Sequence, residues 1–399
     1  MSDVYLLDAL RTPRGRARPN GGLARVSPLH LITQLLDGLK DRSADLPQGV
    51  EDLIVGSASQ VGEQGGDLAR TAALLAGWNT SGMTLNRFCA SGVDAIATAA
   101  ARISFGTANL QVAGGVESVS RVPMYSDEAP IWRDPEVVER TGAVQMGVAA
   151  DLIATLEGFE REELDAYALR SQQRAAQAWE QGRFAASVLP VRLDGDVVLA
   201  HDEAIRPQTT AESLAAMAPA FTSFGERGQD DLVRRHHPEV GEIRHLHTVG
   251  NSPAIVDGAG LVVLGDGLAA QRTGLRPRAR ILTAATASVD PVIMLTAGQA
   301  AVEKALRTAG LCPGDIDVYE IAEAFAATCV KFQRDLDLAD GQINPNGGTI
   351  AMGHAFGGTG AILLASCLDE LERTRARYGA VAVSGAAGTG SALIIERMP

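Results

Sequence analysis

Apolar positions along the chain follow two periods in turn. Val4 to Ala9 alternates weakly and reads as a strand, the stretch from Arg11 to Gly22 reads as a loop, and Leu29 to Leu39 takes the helical period. Asp52 to Gly56 is a short apolar strand, a helix carries Asp67, Arg70 and Ala73, and Leu110 to Ala113 forms another strand closed by Gly114 and Gly115. Between them, Val93, Ile96, Ala97, Ala100 and Ile103 share one face of a helix that Gly106 stops. Strands and helices alternating in this way predict an α/β protein whose sheet is covered by helices.

From about Ser118 to about His247 the character changes. Glu160 to Glu163 opens an amphipathic helix carrying Leu164, Tyr167, Ala168, Ala175 and Trp179, and long polar loops are expected around it. After the strand Gly260 to Leu264 a second alternation begins. It runs through strand Ala279 to Ala287, helix Ala297 to Ala309, strand Asp317 to Glu320 and helix Ala324 to Leu336. A glycine-rich turn at 353–360 then leads into a helix from Ala361 to about Arg373, followed by strands Ala380 to Val383 and Ser391 to Glu396. The order helix, glycine, strand, small-residue turn occurs from Gly92 to Gly115 and again from Gly360 to Gly385, which predicts a duplicated unit. The expected division is therefore 1–268, with an excursion over about 118–247, and 269–399.

Composition narrows the picture. A chain of 399 residues is long for one core, and 46% hydrophobic with only 4% aromatic and 43 glycines suits closely packed Ala, Val, Leu and Ile elements. The net charge of -13 argues against nucleic acid as a partner, so any anionic ligand must be met by local positive charge. Cys89, Cys312, Cys329 and Cys367 form neither a CxxC pair nor a disulfide framework, which predicts a reducing compartment. No apolar run approaches the ~20 residues of a membrane span, and a cytoplasmic protein is expected.

Chemistry centres on Leu85-Asn86-Arg87-Phe88-Cys89-Ala90-Ser91-Gly92. Cys89 stands just before a helix N-terminus, where free N–H groups and the dipole favour a thiolate, so its pKa is expected to fall towards neutrality. A buried structural cysteine is the commoner alternative. His236, His237, His245 and His247 crowd a polar region without the fixed spacing of a metal site, and no metal is expected. The glycine-rich stretches 353–360 and 385–390 match neither a P-loop nor a dinucleotide fingerprint.

The segment from Asn86 to Gly92 resembles the nucleophile motif of the thiolases, which make or cleave 3-ketoacyl-CoA. The same family's motifs recur at Arg11-Thr12-Pro13, Gly114 to Ser118, Thr248 to Asn251, Asp257-Gly258-Ala259, Glu323 to Ala326 and Asn346 to His354. The resemblance implies two related βαβαββ-type halves in five α-β-α-β-α layers, with the excursion as a loop domain that covers the site and holds CoA. It implies a cysteine acyl-enzyme at Cys89, with His354 as the base. Backbone N–H groups of Cys89 and Ala386 would form the oxyanion hole, and Met146, Asn251, Pro253, Met294 and Phe325 fall at substrate-binding positions. Coenzyme A or acyl-CoA is then substrate, with no permanently bound cofactor.

Several positions depart from the family pattern. Ser384 replaces the second cysteine that shuttles a proton in the carbon–carbon step, and a hydroxyl is a far weaker acid than a thiol. Ala322 replaces an Asn or His that holds a water on the enolate oxygen. Ala355 stands for a proline, which frees that loop, and Ala386 for a glycine, which strains its turn if φ is positive there. Pro253 stands for a serine bonded to pantetheine. The expected activity is acyl transfer on acetyl-CoA or 3-ketoacyl-CoA with a weakened or altered carbon–carbon step. The alternatives are a thioester transferase or hydrolase and a silent acyl-CoA-binding subunit. The pattern is closest to the β-oxidation branch, which implies a homodimer or homotetramer and a fatty-acid oxidation enzyme as a further partner. Arg206, Arg227, Arg234, Arg235 and Arg244 are the candidates for the CoA phosphates.

Overall fold

In the computed structural model, which describes residues 2–399, twelve strands form. They are β1 Tyr5–Arg11, β2 Gly15–Arg16, β3 Asp52–Gly56, β4 Ser81–Leu85, β5 Leu110–Glu117, β6 Val191–Leu193, β7 Asp196–Leu199, β8 Val256–Gly265, β9 Ala279–Ser288, β10 Val318–Ile321, β11 Tyr378–Ser384 and β12 Thr389–Arg397. Ten of them make one hydrogen-bonded sheet in the order β10-β11-β12-β9-β1-β8-β5-β3-β4, with β2 on β8. The first half of the chain supplies the run β1-β8-β5-β3-β4 and the second half the run β9-β12-β11-β10. Among the described residues the two runs are joined where Tyr5 and Leu6 pair with Arg280 and Ala279.

The two runs repeat one another. β8 is antiparallel to both β1 and β5, and β5 is parallel to β3. In the same places β12 is antiparallel to both β9 and β11, and β11 is parallel to β10. Each inner parallel strand, β5 or β11, follows one long helix, Ser91–Phe105 or Phe356–Thr374. The duplication read from glycines is thus a repeat of pairing pattern, with β4 added at the edge of the first half.

Side-chain alternation sorts the sheet faces into layers. Leu53 and Val55 face outward onto Leu31, Ile32 and Leu35 of helix Pro28–Arg42, while Ile54 between them faces inward. That inner face, with Ala113 and Val262, packs on the two long helices, whose other side meets Val381, Leu393 and Ile395 of the second half. Ala382 and Ile394 face the far side, against Ala301, Val302 and Ala305 of helix Ala297–Ala309. The layers run helix, sheet, helix, sheet, helix. Every residue from Phe356 to Leu371 is buried, because the helix lies between the two runs of the sheet and has no side facing solvent.

Strand β4 and the short hairpin β6-β7 were not expected, and three further elements differ from the sequence reading for a packing reason. β5 continues through Gly114 and Gly115 to Glu117, and the second long helix starts at Phe356 rather than Ala361. Its glycines are there for close approach: a Cβ on Gly357 would lie 2.7 Å from Ser57 Cα, and one on Gly358 2.7 Å from Gly258 O. Met146–Glu157 is a helix where loops were expected, its residues 147–154 all buried, so it shows no polar face to reveal the period. Helix Arg161–Glu180 is closed at its start by reciprocal Glu160 and Glu163 hydrogen bonds.

The two central helices cross at Gly92, where an added Cβ would lie 2.5 Å from Gly357 O. Gly→Ala in an unobstructed helix stabilises by roughly 1 kcal/mol. Here the sign reverses: Gly92→Ala lowers unfolding free energy by about 1–3 kcal/mol through overpacking against backbone, read from urea midpoints. An equal or higher midpoint contradicts this crossing.

Candidate functional site

Cys89 sits at the tip of the turn before the first central helix. Asn86 Oδ1 accepts from Phe88 N at 2.7 Å, and Asn86 Nδ2 donates to Ala58 O at 3.1 Å. Ser91 Oγ accepts from Arg87 N at 2.8 Å and donates to Phe88 O at 2.5 Å. Phe88 adopts a left-handed φ of 48°, which these hydrogen bonds hold.

His354 reaches the same place from the second half. Gly353, at φ 96°, turns the chain so that His354 N donates to Ala254 O at 2.7 Å, and Arg14 Nη1 donates to Gly353 O at 3.2 Å. Thr359, one turn into the second central helix, contacts His354 Nδ1 at 2.9 Å and fixes the ring. Phe356 meets the imidazole edge to face. Cys89, His354 and Ser384 line one cavity of about 150 Å³, together with Met146, Pro253, Phe325 and Ala386.

The remaining expected residues lie outside its lining. Asn251 is wholly occupied inside the fold, accepting from Thr248 N and donating to Asp165 Oδ1, both at 2.8 Å. Met294 is fully buried in the outer core of the second half, and Ala322 is buried beside the central helices. At Ala386 the backbone is not left-handed; Ala387 carries the positive φ of 55° instead. Ala355 is fully buried against Ala204, Val256 and Ile362, so packing rather than a proline ring restrains it.

Electrostatics reverses one expectation. Burial pushes the Cys89 thiol up to about 12, and the nearby Glu117 adds to this, whereas the hydrogen bond from its own backbone N–H works the other way. Desolvation in this apolar cavity outweighs the helix terminus, so the thiol is not lowered. Burial also lowers His354 to about 4, helped by Arg14. At neutral pH both groups are uncharged.

Residues the sequence reading did not single out hold these two in place. Glu117, at the end of β5, accepts from Ala58 N at 2.8 Å, Ser59 N at 3.2 Å, Gly357 N at 3.0 Å and Gln64 Nε2 at 2.6 Å. It ties the floor of the Cys89 turn to the start of the His354 helix. Glu323 does likewise for the excursion, accepting from Tyr167 at 3.1 Å, Ser171 at 2.7 Å, Asn344 at 2.9 Å and Ile350 N at 2.9 Å. Both lie inside motifs noted above, but only their partners reveal the task.

Ser384 ends β11 with its hydroxyl engaged twice. It donates to Leu295 O at 2.6 Å and accepts from Gly298 N at 2.8 Å, at the start of helix Ala297–Ala309. Among the crowded histidines, His245 and His247 share Asp151, at 2.8 and 2.7 Å. Of the candidate arginines, Arg234, Arg235 and Arg244 pair with Asp231, Glu139 and Glu160, and Arg227 stacks on Phe224. Arg206 has Arg16 and Arg18 as neighbours instead, and its Nε is buried without a hydrogen-bond partner. Ala17, between those two, donates to the carbonyl of Ile255, which lines the cavity.

Matches to known proteins span nearly the whole chain. The family described as thiolase, N-terminal domain, matches residues 4–227, and thiolase, C-terminal domain, matches 275–397. A beta-ketoadipyl-CoA thiolase of Pseudomonas aeruginosa is 38% identical, over 99% of each chain. A 3-oxoadipyl-CoA/3-oxo-5,6-dehydrosuberyl-CoA thiolase of Escherichia coli K12 is 36% identical over 100% of each. A crystal structure of a Bacillus anthracis acetyl-CoA acetyltransferase superposes with a TM-score of 0.86 at 32% identity, covering 100% of this chain and 99% of that one.

Two expectations follow from the charges. In a Cys312→Ser background, iodoacetamide alkylates Cys89 about tenfold faster per pH unit up to pH ~10, with no plateau near 7, because the thiolate is the reactive form. A plateau near neutrality shows an ion pair instead. For stability, unfolded His354 takes up a proton near its ordinary ~6.5 and folded His354 only near 4, so stability is lost as pH falls through that window. His354→Asn removes up to about 3 kcal/mol of that acid slope, measured by urea unfolding at pH 7 and 4.

Proposed function

The chain belongs to the thiolase family, and from that premise we propose that it transfers acyl groups between coenzyme A thioesters through an acyl-enzyme on Cys89. Thiolases are acyltransferases that take CoA thioesters as substrates and need no permanent cofactor. The observation that carries the finer reading is the shared cavity of Cys89, His354 and Ser384.

With both groups neutral at rest, the nucleophile is made on demand. His354 takes the Sγ proton as sulfur attacks the acyl carbonyl carbon, and negative charge builds on the carbonyl oxygen, towards the backbone N–H groups of Cys89 and Ala386. Collapse breaks the bond to the CoA sulfur, which leaves with the proton from the imidazolium. The acyl group then passes to a second thiol by the reverse steps.

The carbon–carbon step fits less well. When C2–C3 of a 3-ketoacyl-CoA breaks, the departing acetyl-CoA carbon needs a proton, and the Ser384 hydroxyl, which lines the cavity, has its own committed to Leu295 O. Ala322 offers no hydrogen bond to an enolate. Both observations favour thioester exchange over thiolysis. Losing a general acid costs about 10²- to 10⁴-fold.

Arg16, Arg18 and Arg206 lie together near the cavity mouth, where Glu203 accepts from the backbone N–H of Arg16, and their guanidinium groups suit the phosphates of CoA.

Incubation with acetyl-CoA leaves an acetyl group on Cys89, located by peptide mass; its absence removes this reading. Ser384→Cys raises thiolysis of a 3-ketoacyl-CoA by about 10²-fold or more. An unchanged rate contradicts the role given to that position. Replacing Arg16, Arg18 and Arg206 by Ala raises KM for acetyl-CoA roughly tenfold or more and leaves KM for the acetyl-pantetheine thioester, which lacks the nucleotide, as it was.

A further inference from the structure

Beyond Cys89 the cavity continues into a second, smaller arm of about 40 Å³. The two arms share Cys89, Met124, Met146, Phe356 and Ala386, so the sulfur lies where they join. The larger arm leads past His354 and Pro253 to Ile255, beside these three arginines. A thioester bound with its nucleotide there brings its carbonyl carbon to Cys89 and its tail into the smaller arm.

That arm is walled by aromatic rings. Trp132 meets Phe88 edge to face at 5.8 Å and Tyr125 at 5.1 Å, so the three brace one another. Tyr125 is held at a φ of 69°, which its place in this wall over-determines. The charged residue of the lining is Asp127, one carboxylate oxygen of which is buried with no hydrogen-bond partner. No lysine or arginine lines the arm.

Resting on the acyl-enzyme reading, we propose that this arm selects a short, uncharged acyl tail and that Asp127 turns away a tail ending in a carboxylate. An adipyl-type tail, of the kind in the names of the two relatives above, would bring a second carboxylate into an apolar pocket beside an unpaired one. It would lose its hydration and gain only like-charge repulsion. A hydrocarbon tail gains instead, by roughly fourfold in affinity per methylene buried, until the small volume is filled.

Hexanoyl-CoA and adipyl-CoA have equal chain length and differ in the terminal carboxylate, which makes them the discriminating pair. Acylation rates of Cys89 are read by intact mass, each divided by the acetyl-CoA rate of the same protein. The wild-type protein prefers hexanoyl over adipyl by at least tenfold. Asp127→Asn narrows that ratio by roughly tenfold through faster adipyl transfer, and Trp132→Ala admits decanoyl, which the wild-type protein takes poorly. If acetyl-CoA acylates Cys89 but adipyl equals or exceeds hexanoyl, the selectivity is overturned and the acyl-enzyme stands. If acetyl-CoA gives no acyl-enzyme, the reading beneath it fails first. An unchanged ratio in Asp127→Asn removes that residue from the selection.

Discussion

Two helices from opposite ends of the chain touch backbone to backbone in the middle of the molecule, and the site exists because they do. At Gly92 and Gly357 no side chain separates the helices, so the turns that precede them converge. One turn carries a thiol and the other an imidazole. Any larger residue at the crossing would move the two apart by about the width of a methyl group, and positioning errors of ~1 Å are costly in catalysis. The glycine content is thus spent on distance rather than flexibility at this point.

A second constraint is dryness. The cavity is lined mostly by apolar side chains, and burial there pushes the Cys89 thiol up and the His354 imidazole down. Two of the carboxylates buried nearby, Glu117 and Asp202, are satisfied by several donors at once. Asp202 receives both Arg11 and Arg14, and the latter also holds the carbonyl of Gly353 beside the imidazole. Buried ion pairs of this sort add little net stability but tolerate few alternatives in geometry. Their role here is to fix where loops end.

Much of this was legible in the amino-acid sequence, for reasons that differ by element. Strands with one inward and one outward face announce themselves, as Leu53, Ile54 and Val55 do. The paired Gly92 and Gly360 signatures correctly pointed to a repeat, and local motifs led to Cys89, His354 and Ser384, which share a cavity. Helix Met146–Glu157 escaped because burial on all sides erases the polar stripe. Gly357 and Gly358 were read as a turn because sequence records a missing side chain but not the neighbour that requires it. The raised Cys89 pKa was out of reach for a similar reason: a helix terminus is local, whereas desolvation is imposed by segments 30 to 300 residues away, from Ser59 to Ala386. Asn251 shows the converse, a motif residue whose partners, Thr248 and Asp165, turn out to be structural.

The central position of helix Phe356–Thr374 also bears on how the polypeptide matures. The inward face of the first sheet, including Ala113, Val262 and Leu264, is complete once Gly265 has been made, yet its covering residues Leu363, Leu364 and Leu368 come about a hundred residues later. At ~5–20 residues per second the nascent chain spends on the order of ten seconds with that face covered only in part, by helix Ser91–Phe105. The two halves thus complete one shared core rather than two separate ones, and the last part of the chain to be made closes the first part.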